Sequence, residues 1–292
     1  MIRNRKIKTI AASVLCALTA ISAYADGADA LMKASNASAL MFAAKNNDTA
    51  EVQRLIAAGA DVNEKTKYND TALLYATSYK AADAAKLLIK AGADVNARTS
   101  TGTTALIHIA SSNATDVANM LIMAGADVNA KSESDWTAIM ASARGGADMA
   151  KLLIKAGADV NAKDKHGWTA LMCAESADIA RVFIQAGAEI DTTNNNGVTA
   201  LMRAATGNVA DVAKVLIKAG ADINAKDKDG KTPLMHAAEI FDAADAAKVL
   251  IESGADINAK DNNGHTALWW TKAWKDYSSP NVAALLKAAG AR

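Results

Sequence analysis

Apolar positions along this chain keep returning in two short clusters separated by a polar stretch. The first cluster centres on Leu40, Leu73, Leu106, Ile139, Leu171, Leu201, Leu234 and Leu268, each two places after a Thr or Ser. The second holds apolar pairs such as Leu88/Ile89, Leu153/Ile154, Leu216/Ile217 and Leu250/Ile251. Each cluster is too short for a long helix, so the pattern predicts pairs of short helices. A pair of that kind cannot bury its own apolar face, and stacking on its neighbours must stabilise it. The period near 33 residues predicts an all-α repeat solenoid of helix-turn-helix units.

The polar stretches carry a fixed frame. Gly59, Gly92, Gly125, Gly157, Gly187, Gly220 and Gly254 each precede Ala, then Asp or Glu, then Val or Ile. A threonine follows 12 residues after each glycine, at Thr71, Thr104, Thr137, Thr169, Thr199, Thr232 and Thr266. Threonine is a good N-cap, because its hydroxyl accepts from an otherwise unpaired amide of the first turn. Glycine just past a helix end enters the left-handed conformation that stops it. From the opening Thr or Ser to the glycine the count varies, from 18 in the fifth unit to 24 in the eighth. The fixed link predicts neighbouring hairpins that pair edge to edge, where a slip of one residue turns every side chain over. Two places before each threonine stand Asn69, Gly102, Asp135, Gly167, Gly197, Gly230 and Gly264, residue types that tolerate positive φ, so a tight turn is expected there. The frame gives about eight units in a domain spanning 38–292, with incomplete outer units at 38–59 and 266–290.

Composition changes the picture mainly at the start. Two prolines and 51% hydrophobic residues suit an ordered helical chain. The net charge is +1, yet Arg3, Arg5, Lys6 and Lys8 fall in the first 25 residues, which hold no acid, so the remainder is slightly acidic. That excludes a basic footprint for nucleic acid or an anionic membrane. The basic start, the apolar run Ile10 to Ile21 and Ala23-Tyr24-Ala25 have the layout of a cleavable secretory signal over 1–25, with cleavage after Ala25. The run is short of the ~20 residues a bilayer span needs, so no stable membrane insertion is expected. Cys16 would be a lipid anchor only if the bulky Leu15 were small. Residues 26–37 form a lead-in, and Cys173 is then the single cysteine of the mature chain, with no internal disulfide. The expected location is periplasmic or secreted.

Thr232-Pro233-Leu234-Met235-His236-Ala237-Ala238, followed by Gly254-Ala255-Asp256-Ile257-Asn258-Ala259-Lys260-Asp261, resembles the ankyrin-repeat family over about residues 38–290. Most units depart from that family's pattern in having Ala where it has Pro, and the fifth unit is short between its helices. The resemblance implies a stack of helix pairs with projecting β-hairpin fingers, and binding of another protein on the concave side rather than catalysis. It implies a non-catalytic interaction module; a monomer is expected, and the brevity of the signal and the Ala-rich repeats point to the bacterial envelope. Alternatives within that reading are an inhibitor or immunity factor for an envelope toxin or hydrolase, and an accessory partner of a periplasmic oxidative-stress enzyme.

Columns that are chemically mixed between units mark surface, and a partner would be read there. One such column precedes each threonine: Asp70, Thr103, Trp136, Trp168, Val198, Lys231 and His265. The other lies four after it: Phe42, Tyr75, His108, Ala141, Cys173, Arg203, His236 and Trp270. The candidate partner-binding residues are Trp136, Trp168, Tyr75, His108, Arg203, Lys231, His236, His265 and Trp270. Trp136 and Trp168 fall about 10 Å apart in stacked units and make the best hot-spot pair, or else each shields its neighbour's finger. Trp269, Trp270, Trp274 and Tyr277 either cap the stack or add a second contact patch. Cys173, Arg203 and His236 share a column but sit in successive units, too far apart for direct proton transfer, so no catalytic residue is assigned. The four histidines lack ligand spacing, and Asp227 and Asp229 do not fit a calcium loop, so no metal or cofactor is expected.

Overall fold

The computed structural model describes residues 39–240, 243–272 and 279–291. The expected signal segment 1–25, the lead-in 26–37, Ser38, Trp274 and Tyr277 lie outside them. The chain divides into two compact units, Met1–Asp94 and Val95–Arg292.

In the first unit, helix α1 covers residues 39–45 and is followed by α2 (Thr49–Ala57), α3 (Ala72–Ser78) and α4 (Ala82–Lys90). Helix α4 packs on both α2 and α3. Leu55, Leu73 and Leu88 of these helices are each at most 1% exposed, as is Leu40 of α1. Burying a leucine contributes roughly 1.5–3 kcal/mol, far more than the intrinsic propensity of helices this short. The Asp48 carboxylate and the Thr71 hydroxyl cap α2 and α3 by accepting from the amides of Glu51 (3.1 Å) and Leu74 (3.3 Å).

The second unit holds α5 (Ala105–Ala110), α6 (Thr115–Met123), α7 (Ala138–Gly145) and α8 (Ala147–Lys155), then the 3₁₀ turn η1 (Leu171–Cys173) and α9 (Ala177–Gln185). They are followed by α10 (Ala200–Thr206), α11 (Ala210–Lys218), α12 (Pro233–Ala238), α13 (Ala244–Glu252), α14 (Ala267–Trp270) and α15 (Pro280–Ala288). Two rows result. The first helices of the repeats, α5, α7, η1, α10, α12 and α14, pack one on the next, and so do the second helices, α6, α8, α9, α11, α13 and α15. The predicted apolar column is the core: Leu106, Ile139, Leu171, Leu201 and Leu234 are at most 2% exposed. Leu268 in the last unit is only half-buried. Thr104, Thr169, Thr199 and Thr232 cap as expected, whereas Thr266 makes no side-chain cap and the buried Thr137 hydroxyl has no partner among the described residues.

The fifth repeat breaks the pattern. Its first helix is the three-residue η1, after which Ala174 turns extended at ψ 118°. The second-helix column reads Leu121, Leu153, Leu216, Leu250 and Leu286 in the other repeats, but here it is Phe183, fully buried. A phenyl ring thus takes the leucine's place in the core of the repeat whose first helix is a single 3₁₀ turn.

The links between repeats are turns rather than β-hairpins. Among the described residues there is no strand and a single isolated bridge, Arg98 with Thr104. The cause is side-chain competition for the amides a ladder needs. Ser132 Oγ accepts from the amides of Ser134 (3.3 Å) and Trp136 (3.1 Å), and Asp164 Oδ1 accepts from those of His166 and Trp168, both at 2.8 Å. Neighbouring fingers still touch through one backbone bond each, such as Lys165 N to Ser134 O (3.0 Å) and Asn195 N to His166 O (2.9 Å). An asparagine ladder adds to this. Asn129 Oδ1 accepts from Asp159 N (2.9 Å) while its Nδ2 donates to Gly157 O (3.0 Å), and Asn161 repeats the pair with Glu189 and Gly187. These bonds fix the 12-residue link. Gly197 shows how close the fingers lie: at φ 79° a Cβ there would stand 2.8 Å from Lys228 N.

Candidate functional site

The position five before each threonine is Thr66, Thr99, Ser132, Asp164, Asn194, Asp227 or Asp261, and it organises the finger. In every copy its side-chain oxygen accepts from the amides two and four residues on. The second of those amides belongs to the mixed residue before the threonine. Trp136, Trp168, Lys231 and His265 are therefore presented by a closed loop rather than a free tip. Sequence reasoning missed this column, although it holds only Thr, Ser, Asp and Asn.

In the seventh and eighth repeats, where the column is Asp227 and Asp261, its second oxygen reaches the inner helix; Asp164 of the fifth repeat bonds only the amides of its own turn. Asp227 Oδ2 bonds His236 Nε2 at 2.8 Å, and Asp261 Oδ2 accepts from Trp270 Nε1 at 3.1 Å. Burial works against the charge of Asp227, but the His236 bond and the amides of Lys231 and Asp229 hold its carboxyl below the ordinary range. The same balance, with the amides of His265 and Asn263 ahead of Trp270, depresses Asp261. Lys231 Nζ pairs with Glu239 at 2.8 Å and lies 3.6 Å from the centre of the Trp270 ring. His265 stacks on Trp269 at 3.6 Å, and its Nδ1 is 3.5 Å from Asp261 without a hydrogen bond. Lys231, His236, His265 and Trp270 thus form one network whose partners come from the chain itself.

The fifth and sixth repeats differ. The missing turn of η1 leaves a cleft of about 620 Å³ between α7 and α10. Trp136 and Trp168 line it from the fingers, Met140 and Met172 from below, and Arg203 from α10. The Arg203 guanidinium stands 4.9 Å from the centre of the Trp168 ring, a cation–π contact. Its Nε is buried and has no hydrogen-bond partner among the described residues. The finger residue that would face it, by analogy with Asp227 and Asp261, is the neutral Asn194. Arg144 and Glu175 pair at 3.0 Å at the rim, both largely exposed. Cys173 also lines the cleft, and burial pushes its thiol up to about 11, so it is a poor nucleophile.

The remaining candidates lie elsewhere. His108 is half-buried in a second hollow of about 470 Å³ that shares Trp136 as a wall. Tyr75 belongs to the first compact unit, half-buried near the exposed Tyr79, over whose ring Lys45 Nζ lies at 4.5 Å. A larger hollow, about 730 Å³, separates α9 from α11, but Arg181 and Lys214 on its rim are paired with Asp178 and Asp211 of their own helices. Among the described residues no group of three His, Cys, Asp or Glu converges to hold a metal, and no helix is long and apolar enough to cross a membrane.

No curated protein matches the chain. The family model for ankyrin repeats, in sets of three copies, matches residues 8–99, 40–132, 130–194, 175–261 and 225–291. Members of this family generally mediate protein–protein association and are typically non-catalytic. With the helix pairs, the capped turns and the family match along nearly its whole length, the chain belongs to the ankyrin-repeat family.

Proposed function

We propose that this protein is an exported bacterial binding module that captures another protein reversibly, working as a monomer in the periplasm or beyond it. The observation that carries the reading is the cleft at the fifth repeat. It brings Trp136, Trp168 and Arg203 to one hollow of about 620 Å³ and leaves a buried arginine donor unmatched. Tryptophan and arginine are the residues most enriched where interfaces concentrate their energy. Export rests on the basic start, the short apolar run and Ala23-Tyr24-Ala25.

The test uses the protein purified from cells that express its full-length coding sequence, immobilised and exposed to an envelope extract. The wild-type chain retains a defined partner, and the Trp136→Ala/Trp168→Ala double variant, with an unchanged helical spectrum, does not. Equal retention by both would sink the proposal. Adding the protein to a retained enzyme separates the roles: an inhibitor stops turnover, and a scaffold or accessory partner leaves it intact.

A further inference from the structure

We infer that the cleft at the fifth repeat is a receptor for an acidic side chain, Asp or Glu, carried with apolar neighbours on a partner's peptide segment. The inference rests on the binding-module reading and names the chemistry that such a partner must present. It starts from a comparison internal to the chain. In the seventh and eighth repeats the finger carboxylates of Asp227 and Asp261 reach the inner-helix residues His236 and Trp270, at 2.8 and 3.1 Å. In the sixth repeat the inner-helix residue is a cation, Arg203, and the finger residue is Asn194, which carries no charge.

Asn194 Oδ1 is committed to the amides of Asn196 and Val198 at 2.9 and 3.0 Å. Arg203 is left as a cation with a buried Nε that nothing among the described residues accepts. Of the other charged groups among the described residues of the cleft, only Arg144 and Glu175 form an ion pair, and Asp164 keeps its charge on the wall. Asp164 Oδ1 takes the two amides of its own turn, while His166 is exposed. A guanidinium in an apolar cleft without an acceptor is costly, and the group that satisfies it best is a carboxylate, which meets the outer Nη end because Nε itself is closed off from solvent. Trp168 holds one face of the guanidinium, so the fork is pre-oriented before a ligand arrives.

The walls set the rest of the ligand. Trp136 and Trp168, both half-buried, offer aromatic surface beside Arg203, and the buried Met140 and Met172 form the apolar floor. Methionine adapts to varied apolar shapes, and tryptophan contributes large area at low entropic cost. A volume of about 620 Å³ suits a few side chains rather than a whole helix. The matching segment carries one carboxylate between apolar residues.

The experiment is calorimetric titration of the purified full-length product with blocked tetrapeptides. Each peptide is N-acetylated and C-amidated, carries Glu or Asp at the second or third place among Leu, Phe and Ala, and has a Gln or Asn twin. At least one acid should bind about tenfold tighter than its amide twin. In Arg203→Gln that preference should vanish, and Arg203→Lys, which keeps the charge and loses the fork, should restore part of it. Acid and amide twins within twofold of each other throughout, or a preference that survives Arg203→Gln, would overturn the inference. Peptides without an acidic side chain but with a free C-terminus that bind as well as the Glu peptides would overturn it too, by assigning the cleft to a chain end. If the tryptophan variant abolishes partner capture while the twins bind alike, the binding-module reading stands and the carboxylate chemistry falls.

Discussion

The fifth and sixth repeats and the seventh and eighth use the same two mixed columns to opposite ends. In the later pair each candidate reader is held by its own chain: Lys231 by Glu239 and Trp270, His236 by Asp227, Trp270 by Asp261. In the earlier pair a helical turn is missing, Asn194 stands where the later pair has aspartate, and Trp168 and Arg203, with Trp136 of the fourth repeat, open onto a cleft. A column that varies between repeats is therefore only known to be outside the core. Whether the chain itself occupies it depends on whether the finger side chain five before the threonine reaches the inner helix, as Asp227 and Asp261 do and Asp164 and Asn194 do not.

The largest effect should come from the core beneath the cleft. Phe183 is fully buried in α9 behind the shortened η1, so Phe183→Ala should cost roughly 3–5 kcal/mol in denaturant unfolding. The expected collapse of the cleft should also reduce partner capture. A cost under about 1 kcal/mol would mean that the ring substitutes for nothing, and the fifth repeat would then differ from the others only in length.

Next in size is the contrast between the two regions as binding surfaces. Trp136→Ala with Trp168→Ala should weaken partner capture at least ~30-fold, the effect of a hot spot of about 2 kcal/mol, with the unfolding midpoint nearly unchanged. Lys231→Ala should do the reverse. It loses its bond to Glu239 and its place over Trp270, so stability should fall by about 1 kcal/mol while capture stays within twofold. Capture that follows Lys231 rather than the tryptophans would invert the comparison.

Much of the fold was legible before the structure. Core leucines, threonine caps, helix-ending glycines and the positive-φ column at Asn69, Gly102, Asp135, Gly167, Gly197, Gly230 and Gly264 all repeat, and repetition inside one chain substitutes for comparison with others. Two polar columns were equally repetitive and went unread. One is the finger column from Thr66 to Asp261, and the other is the asparagine ladder of Asn63, Asn96, Asn129 and Asn161. Both act through side-chain bonds to backbone amides or carbonyls, which carry no apolar period to betray them. Reading the first would have replaced the expected β-hairpins with turns. Part of the candidate cleft was legible: Trp136 and Trp168 are adjacent copies of one column, and both line it. The cleft itself comes from residues that are missing, and the count of 18 in the fifth repeat gave the length of the gap but not its side of the stack. That Lys231, His236 and Trp270 are tied together depended on long side chains meeting across two repeats, which spacing alone does not reveal.

The closed network should also show in acid. Both Asp227 and Asp261 titrate below the ordinary carboxylate range. The folded chain therefore binds fewer protons than the unfolded one as the pH falls through about 4. Their contribution is fully present above ~pH 5 and is lost as the pH drops through the depressed values. Asp227→Asn with Asp261→Asn should lower stability at neutral pH by about 1–2 kcal/mol and give a shallower decline between pH 5 and 3. Unfolding curves for wild type and variant that run parallel over that interval would place the acid sensitivity elsewhere.

The smallest expected change tests the comparison most directly, because it converts one region into the other. Asn194→Asp is nearly isosteric, keeps an oxygen for the amides of Asn196 and Val198, and adds the charge that Asp227 and Asp261 already supply in their repeats. The new carboxylate should pair with Arg203 as Asp227 pairs with His236, and an ionic partner from the chain then competes with one from outside. Partner-exposed ion pairs of this kind are weak, so the expected outcome is modest: binding of acidic peptides weakened about threefold to tenfold, binding of their amide twins unchanged, and stability equal or slightly raised. The selectivity of the loss is what matters, since a general distortion of the finger would weaken acid and amide twins alike. Adding Arg203→Gln to Asn194→Asp should then produce no further loss for the acids. A further drop would show that the two side chains act independently and that the finger column does not decide which repeats are open.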